Sequence, residues 1–295
     1  MTPDDVLERL PIAAWHGPFA ADLQQRAVDA LEAGRVLVMP NLPFAVAAEE
    51  RCFLDPATLA GERKNISLDP RTRRLGNAAL APDEAAILGA MLRRFAAATA
   101  ALLGDLLPGY ATSLELARTS FRPAEIAGRA YSRRHDDRLL HVDAFPTWPL
   151  AGRRILRVFC NVAPDGAARH WRLGEPFPDF ARLFLPQVKP QLPGSAWLLD
   201  RIGLTKAWRT SYDHTMLGLH DAGKLDADYQ ANCPKVAVSF DPGTTWSCFT
   251  DQVLHAAVAG HCALEQTFHL PVAAMSHPER SPLRVLQAVT GRALV

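Results

Sequence analysis

From about residue 138 onward, turn signals cut the chain into short β-prone runs, and that punctuation confines it to a core of many short strands. Residues 139–145, 154–162, 235–240, 245–250 and 263–271 read as strands. Pro193-Gly194 and Asp241-Pro242-Gly243 are the clearest breaks between them. The 23 prolines, about 8% of the chain against a usual ~5%, point to many turns as well. The pattern predicts a β-barrel or a pair of packed sheets, interrupted by a helical insert at roughly 204–230.

The earlier residues read differently. Leu23, Ala27, Val28 and Leu31 recur at helical spacing, and Gly34 marks a stop. A short strand follows at 35–40. Pro82, Asp83 and Glu84 open a second helix, whose stripe of Ile87, Leu88, Met91, Leu92, Phe95, Leu102, Leu103 and Leu106 ends before Pro108. The expected fold is α+β and a single domain over 1–295, with mainly helical support over 1–135 and a β core over 136–280.

Charge and cysteine usage narrow the function. With 32 basic and 31 acidic residues the net charge is +1, so no nucleic acid partner is expected. Five cysteines without a CxxC pair form neither a disulfide framework nor a zinc knuckle. The first residues lack the basic and apolar regions of a signal peptide, and no run reaches ~18 uncharged apolar residues. A cytoplasmic chain with reduced thiols is the expectation.

The informative segment is LLHVDAFP, where His141 and Asp143 stand two residues apart. On a strand, residues i and i+2 share a face, so imidazole and carboxylate converge while Leu140, Val142 and Ala144 turn away. Such a pair supplies two of the three donors of the 2-His-1-carboxylate triad that holds non-haem Fe(II). The second His comes from among His214, His220, His255, His261, His269 and His277. His255 fits best, because it sits between two strand patterns, where a ligand at a barrel mouth belongs. His261 and His269 are the near alternatives. His214 and His220 fall in the helical insert and read as surface or core histidines.

The order of HxD, strand, distant His and last strand resembles the Fe(II)/2-oxoglutarate dioxygenases, whose fold is a double-stranded β-helix, or jelly roll. A wider set of segments resembles the Kdo 3-hydroxylase family; Kdo is an eight-carbon acidic sugar of the lipopolysaccharide inner core. These segments are KNISLDP (64–70), HVDAFPTWPLAGRRILRVFCNVAP (141–164), RHWRLGEPF (169–177), YDHTMLGLHD (212–221), TDQVLHAA (250–257), LEQTFHLP (264–271) and SPLRVLQAVTGRAL (281–294). The resemblance implies a jelly-roll core in the C-terminal half, braced by N-terminal helices. It implies Fe(II) on His141, Asp143 and His255, with 2-oxoglutarate and O₂ as co-substrates. The implied reaction is hydroxylation of Kdo at carbon 3 on a Kdo-bearing lipid A precursor, which is assembled on the cytosolic face of the inner membrane.

One departure matters. Most 2-oxoglutarate enzymes place Arg or Lys about ten residues after the second His, yet 262–270 contains neither. Arg157 is the leading substitute for holding the distal carboxylate. It shares a strand face with Ile155, Phe159 and Asn161, while Leu156, Val158 and Cys160 face the helices. Gln266 and Thr267 are further donors, although alternation admits only one of them. Arg169, Trp171 and Arg172 form the expected substrate-binding set, guanidinium for carboxylate or phosphate and indole for a sugar face. Arg133, Arg134, Arg153 and Arg154, together with Arg169 and Arg172, are expected to form a cationic rim toward an anionic membrane surface. Two other readings stand beside this one: the same oxygenase chemistry on a protein side chain or small metabolite, and a non-enzymatic jelly-roll module that binds sugar.

Overall fold

Alternating and helical periods place most elements, and the computed structural model, which describes residues 1–129 and 131–295, shows how they assemble. The elements follow in the order α1 (Pro3–Val6), β1 (Leu7–Arg9), α2 (Ala21–Glu32), β2 (Val36–Met39), β3 (Ile66–Leu68), β4 (Leu75–Gly76), α3 (Pro82–Leu106), β5 (Glu115–Arg122), β6 (Arg154–Asn161), β7 (Arg169–Gly174), α4 (Phe177–Phe184), α5 (Ser195–Arg201), α6 (Ser211–Leu225), α7 (Ala227–Asn232), β8 (Lys235–Phe240), β9 (Thr245–Phe249), β10 (His255–Ala259), β11 (Ala263–Leu270) and α8 (Pro282–Thr290). Helix α2 stops where predicted: Gly34 takes φ +79°, and a Cβ there would press on the Gln252 side chain at 3.1 Å. Helix α3 starts on Pro82, with the Glu84 carboxylate accepting from Ala81 N–H at 3.0 Å.

The fold is mixed α+β. Eight strands form one sheet in the order β1-β2-β9-β6-β11-β5-β3-β4. Among the described residues, β1 and β2 are its one parallel pair. The order β10-β7-β8 forms a second, antiparallel sheet. Aromatic side chains lock the two sheets together: Phe240 stacks on Trp246 at 4.2 Å, and Trp171 meets Phe159 edge-on at 5.0 Å. Leu156 and Val158 face the other way and are buried with Leu102, Leu103 and Leu106 of α3. Cys160 packs with Leu88, Met91, Leu92 and Phe95 of the same helix. Helix α3 is long and apolar enough to span a membrane by length and composition, with mean hydropathy 1.5 over an 18-residue window. Half of that window is buried, and the burial is in these two clusters.

Four expectations need correcting. Among the described residues, 1–135 supply five strands as well as the two expected helices and the short α1. Strand β5 was hidden because ELARTSFR carries no apolar alternation; its buried stretch is Thr119, Ser120 and Phe121. Residues 139–145 are not a strand: His141 makes one isolated bridge and the chain then leaves the sheet. Pro146 and Pro149 lack the N–H groups that a continued ladder needs. Conversely, RHWRLGEPF contains strand β7, concealed because Arg169 points inward and breaks the polar–apolar alternation. The helical insert also begins earlier, at α4 and α5.

One buried charge ties this framework together. Arg154 is fully buried; its Nε donates to Asp251 Oδ2 at 2.7 Å and its Nη2 to Gln252 Oε1 at 2.6 Å. Asp251 Oδ1 in turn accepts from Ile155 N–H at 3.1 Å. The start of β6 is thereby fastened to the turn between β9 and β10, the turn that leads to His255. Arg154→Ala strands the Asp251 carboxylate and is expected to cost about 3–5 kcal/mol, read as a lowered urea midpoint. A loss below about 1 kcal/mol would mean that water reaches Asp251.

Candidate metal centre and co-substrate pocket

The backbones of His141 and His255 bring their side chains together. His141 N–H donates to His255 O at 3.1 Å, and His255 N–H donates to His141 O at 2.9 Å. Residues paired in such an antiparallel bridge project to the same side. The rings lie 4.6 Å apart between centroids. Asp143 N–H donates to Thr250 O at 2.8 Å, and its Oδ1 stands 3.8 Å from His141 Nε2. One ligand atom from each of His141, Asp143 and His255 lies within 4.8 Å of the others.

The protonation states suit a metal. His141 Nδ1 donates to Leu139 O at 2.8 Å, and His255 Nδ1 donates to Val253 O at 2.9 Å. A carbonyl only accepts, so each Nδ1 carries the proton and each Nε2 presents a lone pair. Burial, reinforced by the neighbouring His255, holds the His141 pKa well below the ordinary value; burial lowers that of His255 too. Both rings are neutral. Burial works against ionisation of Asp143, but the Arg157 guanidinium outweighs it and keeps the carboxyl below the usual range. Two neutral imidazoles and one carboxylate match the donor set of a non-haem divalent metal.

A cavity of about 140 Å³ opens on this cluster, lined among others by Arg122, Asp137, Arg157, Arg169, Trp171 and Glu265. Cavities of about 660 and 460 Å³ elsewhere lack such a cluster among the described residues. Asp143 Oδ2, Arg157 Nε, Arg169 Nε and Trp171 Nε1 are buried here without hydrogen-bond partners. Four such atoms around one cavity mark a place that a polar ligand completes.

Arg157 points inward as its strand phase predicts. Its Nη2 lies 3.2 Å from Asp143 Oδ2 and its Nη1 lies 3.1 Å from Glu265 Oε1, charge pairs without hydrogen-bond alignment. These carboxylates outweigh burial and raise its pKa. Arg169 has less: its Nη1 donates to Gly260 O at 2.9 Å. Burial first, then Arg122, lowers its pKa to about 10. Gly260 permits that contact, because at φ +103° a Cβ would lie 2.8 Å from Ala168 O. Trp171 stacks on His255 at 5.2 Å and 26° between planes, bracing the imidazole.

Several expected residues lie elsewhere. Gln266 faces away, because its register partners are Val158 and Thr119; its Oε1 accepts from Thr119 Oγ1 at 2.6 Å. Thr267 pairs with Arg157 and shares its face. Arg172 alternates outward and is exposed. The cationic rim does not form: Arg154 and Arg169 are buried, Arg153 pairs with Glu115 at 2.5 Å, and Arg134 pairs with Asp221 at 3.0 Å. His261 binds Asp165 at 3.0 Å. His269 is buried in β11 outside the cluster, its pKa brought to about 4 by burial.

Sequence reasoning missed a layer of charge. Asp137 receives Lys64 at 3.0 Å, Arg122 at 3.3 Å and Lys224 at 4.0 Å, which outweigh burial and depress its pKa. Glu265 accepts from Arg122 Nε at 3.1 Å. Lys64, Arg122, Arg157, Arg169 and Lys224 against Asp137, Asp143 and Glu265 leave an excess of two positive charges. His220, read as a bland helical histidine, sits edge-on to His141 at 5.5 Å. The available signals were Lys64 in KNISLDP, His220 in YDHTMLGLHD and Glu265 in LEQTFHLP, charged or polar groups in segments already singled out for resemblance.

A two-histidine, one-carboxylate cluster opening on a cavity lined by three arginines defines the class of non-haem metal oxygenase sites. The comparisons narrow this class. Residues 14–293 match the family described as 3-deoxy-D-manno-oct-2-ulosonic acid (Kdo) hydroxylase, and the chain belongs to that family. Among curated proteins no match was found. Solved structures of the Kdo hydroxylase KdoO, a non-heme Fe(II) alphaketoglutarate dependent dioxygenase, are similar. The KdoO complex with alphaketoglutarate and Fe(III) has a TM-score of 0.95 at 48% identity, covering 98% of this chain and 97% of that one. The apo form and the cobalt(II) complex each have a TM-score of 0.95 at 49% identity, with the same coverage.

Proposed function

We propose that this protein is an Fe(II)- and 2-oxoglutarate-dependent hydroxylase that acts on Kdo at carbon 3, in the lipid A-linked inner core of lipopolysaccharide. The observation that carries this reading is the convergence of His141, Asp143 and His255 in a chain matching the Kdo hydroxylase family across 14–293. The two Nε2 atoms and the Asp143 carboxylate would hold Fe(II), and the orphaned Asp143 Oδ2 supports that fit. Bound iron, with O₂ and 2-oxoglutarate, supplies the oxidising power that converts C–H to C–OH and leaves succinate and CO₂.

The chain's own residues bind and orient. Arg157 is committed to Asp143 and Glu265, so it positions the metal-binding carboxylate. Arg169, with an unpaired Nε–H in the cavity, is the better anchor for the distal carboxylate of 2-oxoglutarate. Thr267 is a further donor on the face of Arg157. Lys64, Arg122 and Lys224 around Asp137 form the cationic ground for the acid group of Kdo. Trp171 fixes His255 and closes the cavity wall. We read the two sheets as a distorted jelly roll in a single domain, with the site between them, working at the cytosolic face of the inner membrane.

The test is mass spectrometry of lipopolysaccharide made with and without the protein. The expected result is a gain of one oxygen on a Kdo residue. An unchanged Kdo region, or an oxygen gained on lipid A alone, would overturn the substrate.

A further inference from the structure

Large apolar side chains that stand in water one at a time are ordinary, but a contiguous group marks a contact surface. Leu192, Trp197, Leu198, Ile202, Leu204 and Trp208 fall within 17 residues, and each is at least half exposed. Trp197 and Leu198 are on α5, and Ile202 and Leu204 follow on the turns that fold back onto it through Leu198 O and Leu199 O. Leu192 and Trp208 line one groove of about 460 Å³ together with Lys189, Arg209 and Arg292. Across residues 183–209, Lys189, Arg201, Lys206 and Arg209 stand against Asp200 alone, an excess of three positive charges. Apolar and indole side chains ringed by cations fit the interface of an anionic bilayer, where rings sit at headgroup level and ammonium or guanidinium groups meet phosphate. A second copy of the chain fits less well, since a two-fold contact would set two positive patches face to face.

The patch also has a connection to the site. Lys206 N–H donates to Thr147 O at 2.9 Å, and the Arg209 guanidinium donates to Pro146 O. Both carbonyls belong to the segment that leaves Asp143, where Trp148 is exposed as well. We propose that residues 192–208 form a membrane-docking platform, which inserts Trp197, Leu198, Ile202 and Trp208 into the headgroup region of an anionic phospholipid bilayer. On the hydroxylase reading, on which this last step rests, the platform holds the cavity beside a lipid-linked acceptor.

The experiment is co-sedimentation with phosphatidylglycerol–phosphatidylethanolamine vesicles and with phosphatidylcholine vesicles, without metal, 2-oxoglutarate or sugar. The protein is expected to bind the anionic vesicles and to remain partly bound at several hundred millimolar salt, because apolar insertion survives screening. A Trp197→Ser/Ile202→Ser variant with an unchanged circular-dichroism spectrum and melting midpoint is expected to bind about tenfold or more weakly. It should still hydroxylate a water-soluble Kdo glycan while losing activity on the vesicle-embedded acceptor. The proposal is overturned by absent binding to anionic vesicles, by equal binding of the double variant, or by a lipid-free dimer that the double substitution dissolves. Vesicle binding without hydroxylation of either acceptor upholds the platform and overturns the hydroxylase reading alone.

Discussion

His141→Ala, Asp143→Ala and His255→Ala are each expected to abolish hydroxylation and to weaken cobalt(II) or iron(II) binding by more than about 100-fold, since losing even an outer partner of a ligand costs 10–100-fold. Each removes one of three donors whose ligand atoms lie within 4.8 Å of one another. Titration with cobalt(II), followed by absorption, reads the loss without any turnover. His269→Ala is the control: that ring is buried yet lies outside the cluster, so metal binding should survive. Retained binding in His255→Ala, with loss in His261→Ala or His269→Ala, would show that the third donor is misassigned. Acidity should report the same cluster. His141 and His255 are held below the ordinary 6.5 by burial, so the unfolded chain takes up their protons first. The metal-free protein should therefore lose stability as pH falls below 6.5.

Arg157→Ala and Arg169→Ala are expected to fail in different ways. Arg157 is the cation between Asp143 and Glu265, so its removal leaves two carboxylates at a buried site. That should cost about 3–5 kcal/mol in a urea titration. Asp143 has a folded pKa below its ordinary 3.8, so its stabilisation is present above 3.8 and lost as pH falls through the lower folded value. Without Arg157 the folded value rises, so the stability that this carboxylate loses on acidification below 3.8 should shrink. Arg169 has one backbone partner and an unpaired Nε–H, so Arg169→Ala should spare stability more and raise the 2-oxoglutarate requirement. A lost charge-assisted pair of ~2–5 kcal/mol corresponds to roughly 30-fold to several-thousand-fold in affinity. Arg169→Lys should recover only part of this, because an ammonium does not reproduce a planar fork. Should Arg157→Ala abolish 2-oxoglutarate affinity at little cost in stability while Arg169→Ala leaves it intact, the two roles are exchanged.

Some of the site could be read directly from residue order. His141 and Asp143 converge because i and i+2 share a side of an extended chain, and this held although the segment is a single bridge followed by a proline-broken loop. The inward phase of Arg157 and the outward phase of Leu156, Val158 and Cys160 followed from alternation on β6. Helices α2 and α3 followed from their period and stop signals.

Burial of charge could not be read that way. Arg154 looks like a solvated arginine until Asp251, 97 residues later, is set against it. The same holds for Arg122 beside Glu265, 143 residues apart, and for Lys64 beside Asp137, 73 residues apart. Gln266 and Glu265 are neighbours in sequence, and the register of β11 against β6 decides that Glu265 shares the side of Arg157 while Gln266 turns to β5. Periodicity is a property of the local backbone, so the sequence alone determined which residues share a face. Whether a charged face meets water, a partner or a ligand depends on chain segments brought together from far away, and only the tertiary structure decided that.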